Sequence, residues 1–357
     1  MSTCSVKNLR DEMEDRCFTQ ELILNSDHFL IYGVADGHGG EEVSNFLQHF
    51  IPSEIKKKII KNSNSFADQQ ISKNDKIQQL INIGISVVEK AEQKLFSSWQ
   101  YTNDRNEAAA AFGGGTYGAA NCRKTALLNV DENCLTLSDE SKTQTFDHSY
   151  GAAERISPPL ERRKPKHQRL WSTNPDLPPV KGGSTLSFII LFQDVLIVFQ
   201  IGDSFVCVYD SNNGVRFQTT PHNYTNQQEI ERLKKVGVSF LQKKMAFLLE
   251  PSRGFGDFKF KQTFPGAYII NPEVSVVENV VNNSFIILGT DGLTENNFDI
   301  TKILPSMVSN CLKDPKNVFN IASEVSMFAS ELCKHALLHK NKDNMTAVVL
   351  YQKRLDI

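Results

Sequence analysis

The chain has no apolar run long enough to span a bilayer. It has few tryptophans, two in 357 residues, and a formal net charge of only -2. A balance that near neutrality gives no electrostatic reason to expect nucleic acid or a membrane surface as partner. The seven cysteines are odd in number, scattered and without C-x-x-C spacing, which argues against a disulfide framework or a zinc cluster. Each reads as a small core filler; Cys17, beside an acidic cluster, could be open to oxidation. No G-x-S-x-G element offers a serine nucleophile. The start, Met1-Ser2-Thr3-Cys4, shows no signal-peptide core, and Ser2 stands where N-myristoylation needs glycine. The expected location is the cytoplasm or nucleus.

What the chain does have is aspartates at the edges of short apolar runs. Phe29 to Ala35 ends in Asp36-Gly37-His38-Gly39-Gly40. Val195 to Ile201 ends in Gly202-Asp203-Ser204, and Phe285 to Leu288 ends in Thr290-Asp291-Gly292. Asp343-Asn344 immediately precedes Met345 to Tyr351, and Arg10-Asp11-Glu12-Met13-Glu14-Asp15 lies upstream. A buried strand that ends in a carboxylate needs that carboxylate paired or placed on a metal. Any one of these aspartates could simply cap a turn. Together they suggest an all-oxygen site for hard divalent cations.

Strand patterns are read at Cys17–Leu24, Phe29–Ala35, Ser184–Phe192, Val195–Ile201, Phe205–Tyr209, Phe285–Leu288 and Thr346–Tyr351. Helix patterns are read at Glu41–Lys58, Asp75–Trp99, Asn226–Val236, Asp299–Leu312 and Pro315–His339. Thr225 with Gln228 forms a capping-box signature, and Asp314-Pro315 an N-cap followed by an N1 proline. Strands neighbour one another and helices come in pairs, an α+β pattern rather than βαβ alternation. Residues 101–181 differ: alanine and glycine runs, a polar tract and many prolines indicate an insertion, partly disordered, in a single domain spanning 1–357. Gly113-x-Gly115-x-x-Gly118 within it lacks the preceding strand and following helix of a dinucleotide fingerprint. The basic run Arg162-Arg163-Lys164, Lys166 and Arg169 suits a solvated loop, or else docking or nuclear import.

In order, the chain carries Arg10 with Met13-Glu14-Asp15, Asp36-Gly37-His38, Gly183-Ser184-Thr185, Gly202-Asp203-Ser204, Ser252-Arg253 with Gly256-Asp257, Asp291-Gly292 and Asp343-Asn344. This series resembles the metal-dependent serine/threonine protein phosphatases of the phosphatase 2C family. The resemblance spans Arg10 to about Tyr351, apart from the insertion. It departs at Cys17, Phe205 and Thr294, and at Pro221-His222-Asn223-Tyr224, without removing an expected metal ligand.

The resemblance implies two packed antiparallel sheets flanked by helix pairs, with two or three Mg²⁺ or Mn²⁺ ions at one sheet end. It assigns the bridging role to Asp36. The Gly37 carbonyl goes to one metal, and Asp291 and Asp343 complete the shell of the other. Asp15 and Asp203 would hold the weaker third ion. Glu14 would orient water, Arg10 would grip the substrate phosphate, and His38 would be the general acid for the leaving alkoxide. Thr185 is expected to pack the floor of the site, and Arg253 and Asp257 to brace a flap. The implied reaction is hydrolysis of phosphoserine and phosphothreonine by direct attack of a hydroxide bridging the two metals. The expected partners are phosphoprotein substrates, acted on by a monomer. The alternative is a pseudophosphatase, the same fold used as a binding or scaffold module.

Overall fold

The computed structural model describes residues 1–25, 27–68, 70–113, 180–238, 249–280, 284–312 and 318–352. Residues Met1–Asn106 and Leu177–Ile357 form one compact unit. The basic run, Asp314-Pro315 and Gly115 to Gly118 lie outside the described residues.

Two five-stranded antiparallel sheets make the centre of this unit. The first has β1 (Ser2–Val6), β13 (Met345–Gln352), β12 (Ser284–Gly289), β8 (Phe205–Asp210) and β9 (Gly214–Gln218), side by side in that order. The second runs β11 (Glu273–Val277), β7 (Val195–Ile201), β6 (Leu186–Phe192), β3 (Asp27–Ala35) and β2 (Arg16–Leu24). A small third sheet joins β10 (Phe255–Gly256), β5 (Gly183–Ser184) and β4 (Gly37–His38).

Period-two side-chain alternation sorts the core into layers. On β3, Tyr32 and Val34 face a cluster with Val206, Val208, Ile286, Leu288 and Val348, so the two large sheets pack face to face. Phe29 and Ile31 point the other way, into a cluster shared with two helices, α1 (Glu42–Lys61) and α3 (Lys73–Gly113). A short α2 (Ser63–Ala67) lies between them in sequence and adds Phe66. On β12, Phe285 and Ile287 turn away from the sheet interface. They meet α6 (Leu304–Cys311) and α7 (Val318–Leu338). The result is an α-β-β-α sandwich, the α+β arrangement expected from the sequence. Burying each of these large side chains contributes about 1.5–3 kcal/mol.

Differences from the sequence reading have physical reasons. The second long helix does not stop at Trp99 but continues to Gly113, through Ala108–Ala111. Alanine is the strongest helix former, and the expectation of an irregular segment from residue 101 is wrong for its first thirteen residues. The Asp299–Leu312 helix is split into a 3₁₀ turn, Ile300–Lys302, and α6. Pro305 lacks the N–H that would tie one helix to the other. The cap of α4 (Gln227–Lys235) is Asn226, whose side-chain oxygen accepts from the Gln228 N–H at 2.9 Å; it is not Thr225. The strands β1, β9 and β11 and the short α5 (Phe258–Thr263) are additional elements.

Candidate metal and phosphate site

The site forms where strand ends meet. β3 delivers Asp36, the turn after β7 delivers Asp203, β12 delivers Asp291, and the segment before β13 delivers Asp343. Asp15 immediately precedes β2. These carboxylates sense one another. Burial, then the charges of Asp291 and Asp15, hold the Asp36 carboxyl well above the ordinary value. Burial likewise pushes Asp15 up to about 7, and with neighbouring charges raises Asp291 to about 6 and Asp203 well above normal. The Asp36 and Asp291 side chains interact directly, so each disfavours the other's charge.

The walls are tied to the same segments. The Asp36 carbonyl accepts from the Thr185 N–H at 2.9 Å, and the Thr185 hydroxyl lies 2.8 Å from that of Ser204. Thr185 therefore links the Asp36 turn to the Asp203 turn, as a floor residue should. The Glu14 carboxylate accepts from the Gly40 N–H at 2.6 Å. Asn344 is a hub: its Oδ1 accepts from the Glu14 N–H at 2.8 Å, and its Nδ2 donates to the Lys7 and Glu12 carbonyls. One amide thus holds the acidic N-terminal cluster against the start of β13. Close packing dictates two glycines. A Cβ on Gly292 would stand 1.9 Å from the Asn344 carbonyl oxygen, and one on Gly37 2.6 Å from that of Glu14.

Arg10 is ion-paired with Asp343 at 2.5 Å, not with Glu12 or Glu14. Its side chain is 54% exposed and so remains open to a ligand. His38 Nε2 lies 2.6 Å from Asp257 Oδ2, which leaves Nδ1 as its other ring nitrogen. Asp257 holds a left-handed backbone, φ 46°, an uncommon conformation for a residue with a side chain. Arg253 is turned instead to Glu229. His222, in the altered Pro221–Tyr224 segment, is buried. Its Nδ1 accepts from the Gly202 N–H at 3.2 Å, so Nε2 carries the proton facing Glu273. Burial lowers its pKa, which suits that neutral form.

The sequence reading missed the His38–Asp257 pair, the Asn344 hub and Glu250. Glu250 adds charge near Asp203 and Asp291. The motif Gly256-Asp257 was a visible signal for the first; nothing in the pattern around Glu250 marked it.

Among the described residues, no three Asp, Glu, His or Cys side chains already stand as a closed ligand set. The residues nevertheless fit a hard cation. Asp15 Oδ1 is buried with no hydrogen-bond partner. The donors are oxygens, and among the described residues the only positive group ion-paired to them is the exposed Arg10.

Comparison with known proteins agrees with this architecture. The Protein phosphatase 2C family model matches residues 89–345, and the chain belongs to that family. Probable protein phosphatase 2C 2 of Paramecium tetraurelia is 23% identical over 359 residues, which cover 97% of this chain and 89% of that protein. Probable protein phosphatase 2C 21 of Oryza sativa subsp. japonica is 28% identical over 123 residues, 33% of this chain and 36% of that one. The chain thus spans little more than a third of the rice relative. A solved serine-threonine phosphatase 2C from Toxoplasma gondii superposes with a TM-score of 0.57 at 15% identity, covering 98% of this chain and 93% of that chain.

Proposed function

We propose that this chain is a Mg²⁺- or Mn²⁺-dependent protein serine/threonine phosphatase. One observation carries the reading. Asp15, Asp36, Asp203 and Asp291 gather from separate strand ends, with no ion-paired cation on any of the four among the described residues, each raised above its ordinary pKa. Such crowding is unfavourable in an apo protein and is relieved by divalent charge.

Asp36, Asp291, Asp343 and the Gly37 carbonyl would hold the principal ions, with Asp15 and Asp203 available to a further one. Bound ions would neutralise the phosphate and activate water. Arg10 would grip phosphate oxygens with its forked guanidinium. Glu14 would orient water beside the Gly39-Gly40 turn. His38 would donate a proton from Nδ1 to the leaving serine or threonine oxygen, with Asp257 fixing the ring through Nε2. Residues Met1–Asn106 and Leu177–Ile357 would suffice as the catalytic domain, acting on phosphoproteins as a monomer.

The test is hydrolysis of p-nitrophenyl phosphate with Mn²⁺, then with excess chelator. The expected result is turnover that the chelator abolishes and that Asp291→Asn lacks. Undiminished turnover in chelator would remove the metals from the mechanism. A folded chain inert at saturating Mn²⁺ would instead support a binding module.

A further inference from the structure

Outside the metal site, two thiols meet between β1 and α7. Residues alternate along β1, and Ser2, Cys4 and Val6 share the face turned inward. Ser2 accepts a hydrogen bond from the Ala329 N–H of α7 at 3.2 Å. Cys333 lies one helical turn beyond Ala329, on the same side of α7. Cys4, two residues beyond Ser2, packs against the cluster that contains Cys333. The two thiols interact with each other through their side chains. Cys333 is 1% exposed, whereas Cys4 is half-buried and reachable.

We propose that Cys4 and Cys333 form an oxidation site, in which a hydroperoxide oxidises Cys4 and Cys333 resolves it to a disulfide joining β1 to α7. The surroundings favour this division of labour. Cys4 is the more exposed of the two thiols, and hydrogen bonding from Cys333, against the cost of burial, then from Ser330, with the charge of Lys334, lowers its pKa. Contact with Cys4 and burial raise the Cys333 thiol. Cys17 and Cys207 are poorer nucleophiles: burial raises Cys17 and pushes Cys207 up to about 12.

The chemistry balances. The Cys4 sulfur attacks the outer oxygen of the hydroperoxide and the O–O bond breaks. The alkoxide (hydroxide, from hydrogen peroxide) leaves and takes a proton from solvent, and Cys4 becomes a sulfenic acid. The Cys333 sulfur then attacks the Cys4 sulfur, the S–O bond breaks, and hydroxide leaves with the Cys333 proton as water. Two thiols lose two electrons and two protons; the peroxide is reduced to an alcohol and water.

The experiment treats the folded chain with limited hydrogen peroxide at pH 7. The chain is then denatured, blocked with N-ethylmaleimide and peptide-mapped without reductant. The expected product is one cross-linked peptide pair containing Cys4 and Cys333, lighter by two hydrogens and reversed by dithiothreitol. Before oxidation, Cys4 should alkylate at least about ten-fold faster than Cys17. In Cys333→Ser the cross-link should vanish, and dimedone should trap a sulfenic acid at Cys4. Should that variant not fold, Cys4→Ser serves: Cys333 should then be recovered as a free thiol after peroxide. Finding Cys4 linked to any other of the seven cysteines, or both thiols recovered unoxidised while others are modified, would overturn the proposal.

Discussion

The Asp343 carboxylate, expected to hold a metal, is ion-paired with the Arg10 guanidinium, expected to hold the substrate phosphate, at 2.5 Å. The two proposed roles therefore compete when neither ligand is present. Each ligand frees the other's residue: a cation draws Asp343 away, and a phosphate draws Arg10 away. Arg10→Ala should raise KM for a phosphopeptide by roughly ten-fold or more, with a smaller change in kcat. It should also lower the Mn²⁺ concentration needed for half-maximal activity, because Asp343 no longer has to leave a partner. A Mn²⁺ titration at substrate well below KM, where Arg10 still holds Asp343 in the parent, measures the second effect. An unchanged KM would take Arg10 out of phosphate binding.

With His38 as the proposed acid, its contact with Asp257 would make Asp257 a positioning residue. Asp257→Asn keeps the size of the side chain but weakens its hold on the ring. A phosphoserine leaving group is a strong base that needs a proton, whereas p-nitrophenolate needs little help. The variant should lose about 10²-fold in kcat on a phosphoserine peptide and much less on p-nitrophenyl phosphate. Equal losses on both substrates would assign Asp257 a merely structural part.

The carboxylate cluster predicts an unusual pH dependence for the metal-free protein. Asp291 and Asp15 rise from an ordinary value of 3.8 to about 6 and about 7. Between 3.8 and these values the folded state binds more protons than the unfolded one. Stability contributed by these groups is therefore greatest at the acidic end of that window and falls as pH rises through it. Without metal, Tm should drop between pH 5 and about pH 8, and Mn²⁺ should restore it most at the upper end. Asp291→Asn, which removes a charge from the cluster, should raise the metal-free Tm at pH 7.5. Thermal melts with and without chelator check all three expectations.

The central strands were legible because their patterns are local. Val195–Ile201 coincides with β7, and Phe29–Ala35 falls within β3, since continuous apolar residues mark strands covered on both faces. The aspartates were legible for the same reason, as polar residues where such runs stop. What stayed hidden depends on partners distant in sequence. Ser2–Val6 is mostly small and polar, and it becomes a strand by pairing with β13, more than three hundred residues away. Asn344 looked like half of a two-residue motif, yet its amide reaches Lys7, Glu12 and Glu14. The Arg10–Asp343 and His38–Asp257 pairs also join far-separated segments, so no spacing rule could pair them. The alanine run misled in the other direction: low complexity suggested irregularity, but helix propensity decided its conformation.

Away from the chemistry, Glu229 supports the segment that carries Asp257. Its side chain is 2% exposed and accepts from Arg253, from Arg232 at 2.9 Å and from the Ser252 hydroxyl at 2.6 Å. Against the cost of burial, bonds from Arg253, Ser252 and Arg232 hold its pKa down to about 2. For a depressed carboxylate, the stabilisation is fully present above the ordinary value of 4.5. It is lost as pH falls from there toward 2. Glu229→Gln leaves Arg253 without its carboxylate partner in a largely buried setting. Breaking such a pair costs about 3–5 kcal/mol. The variant should therefore unfold at lower denaturant concentration at pH 7, and the gap from the parent should narrow steadily as both are titrated from pH 5 toward pH 3. A gap that stays constant across that range would show that Glu229 acts through packing rather than through its charge.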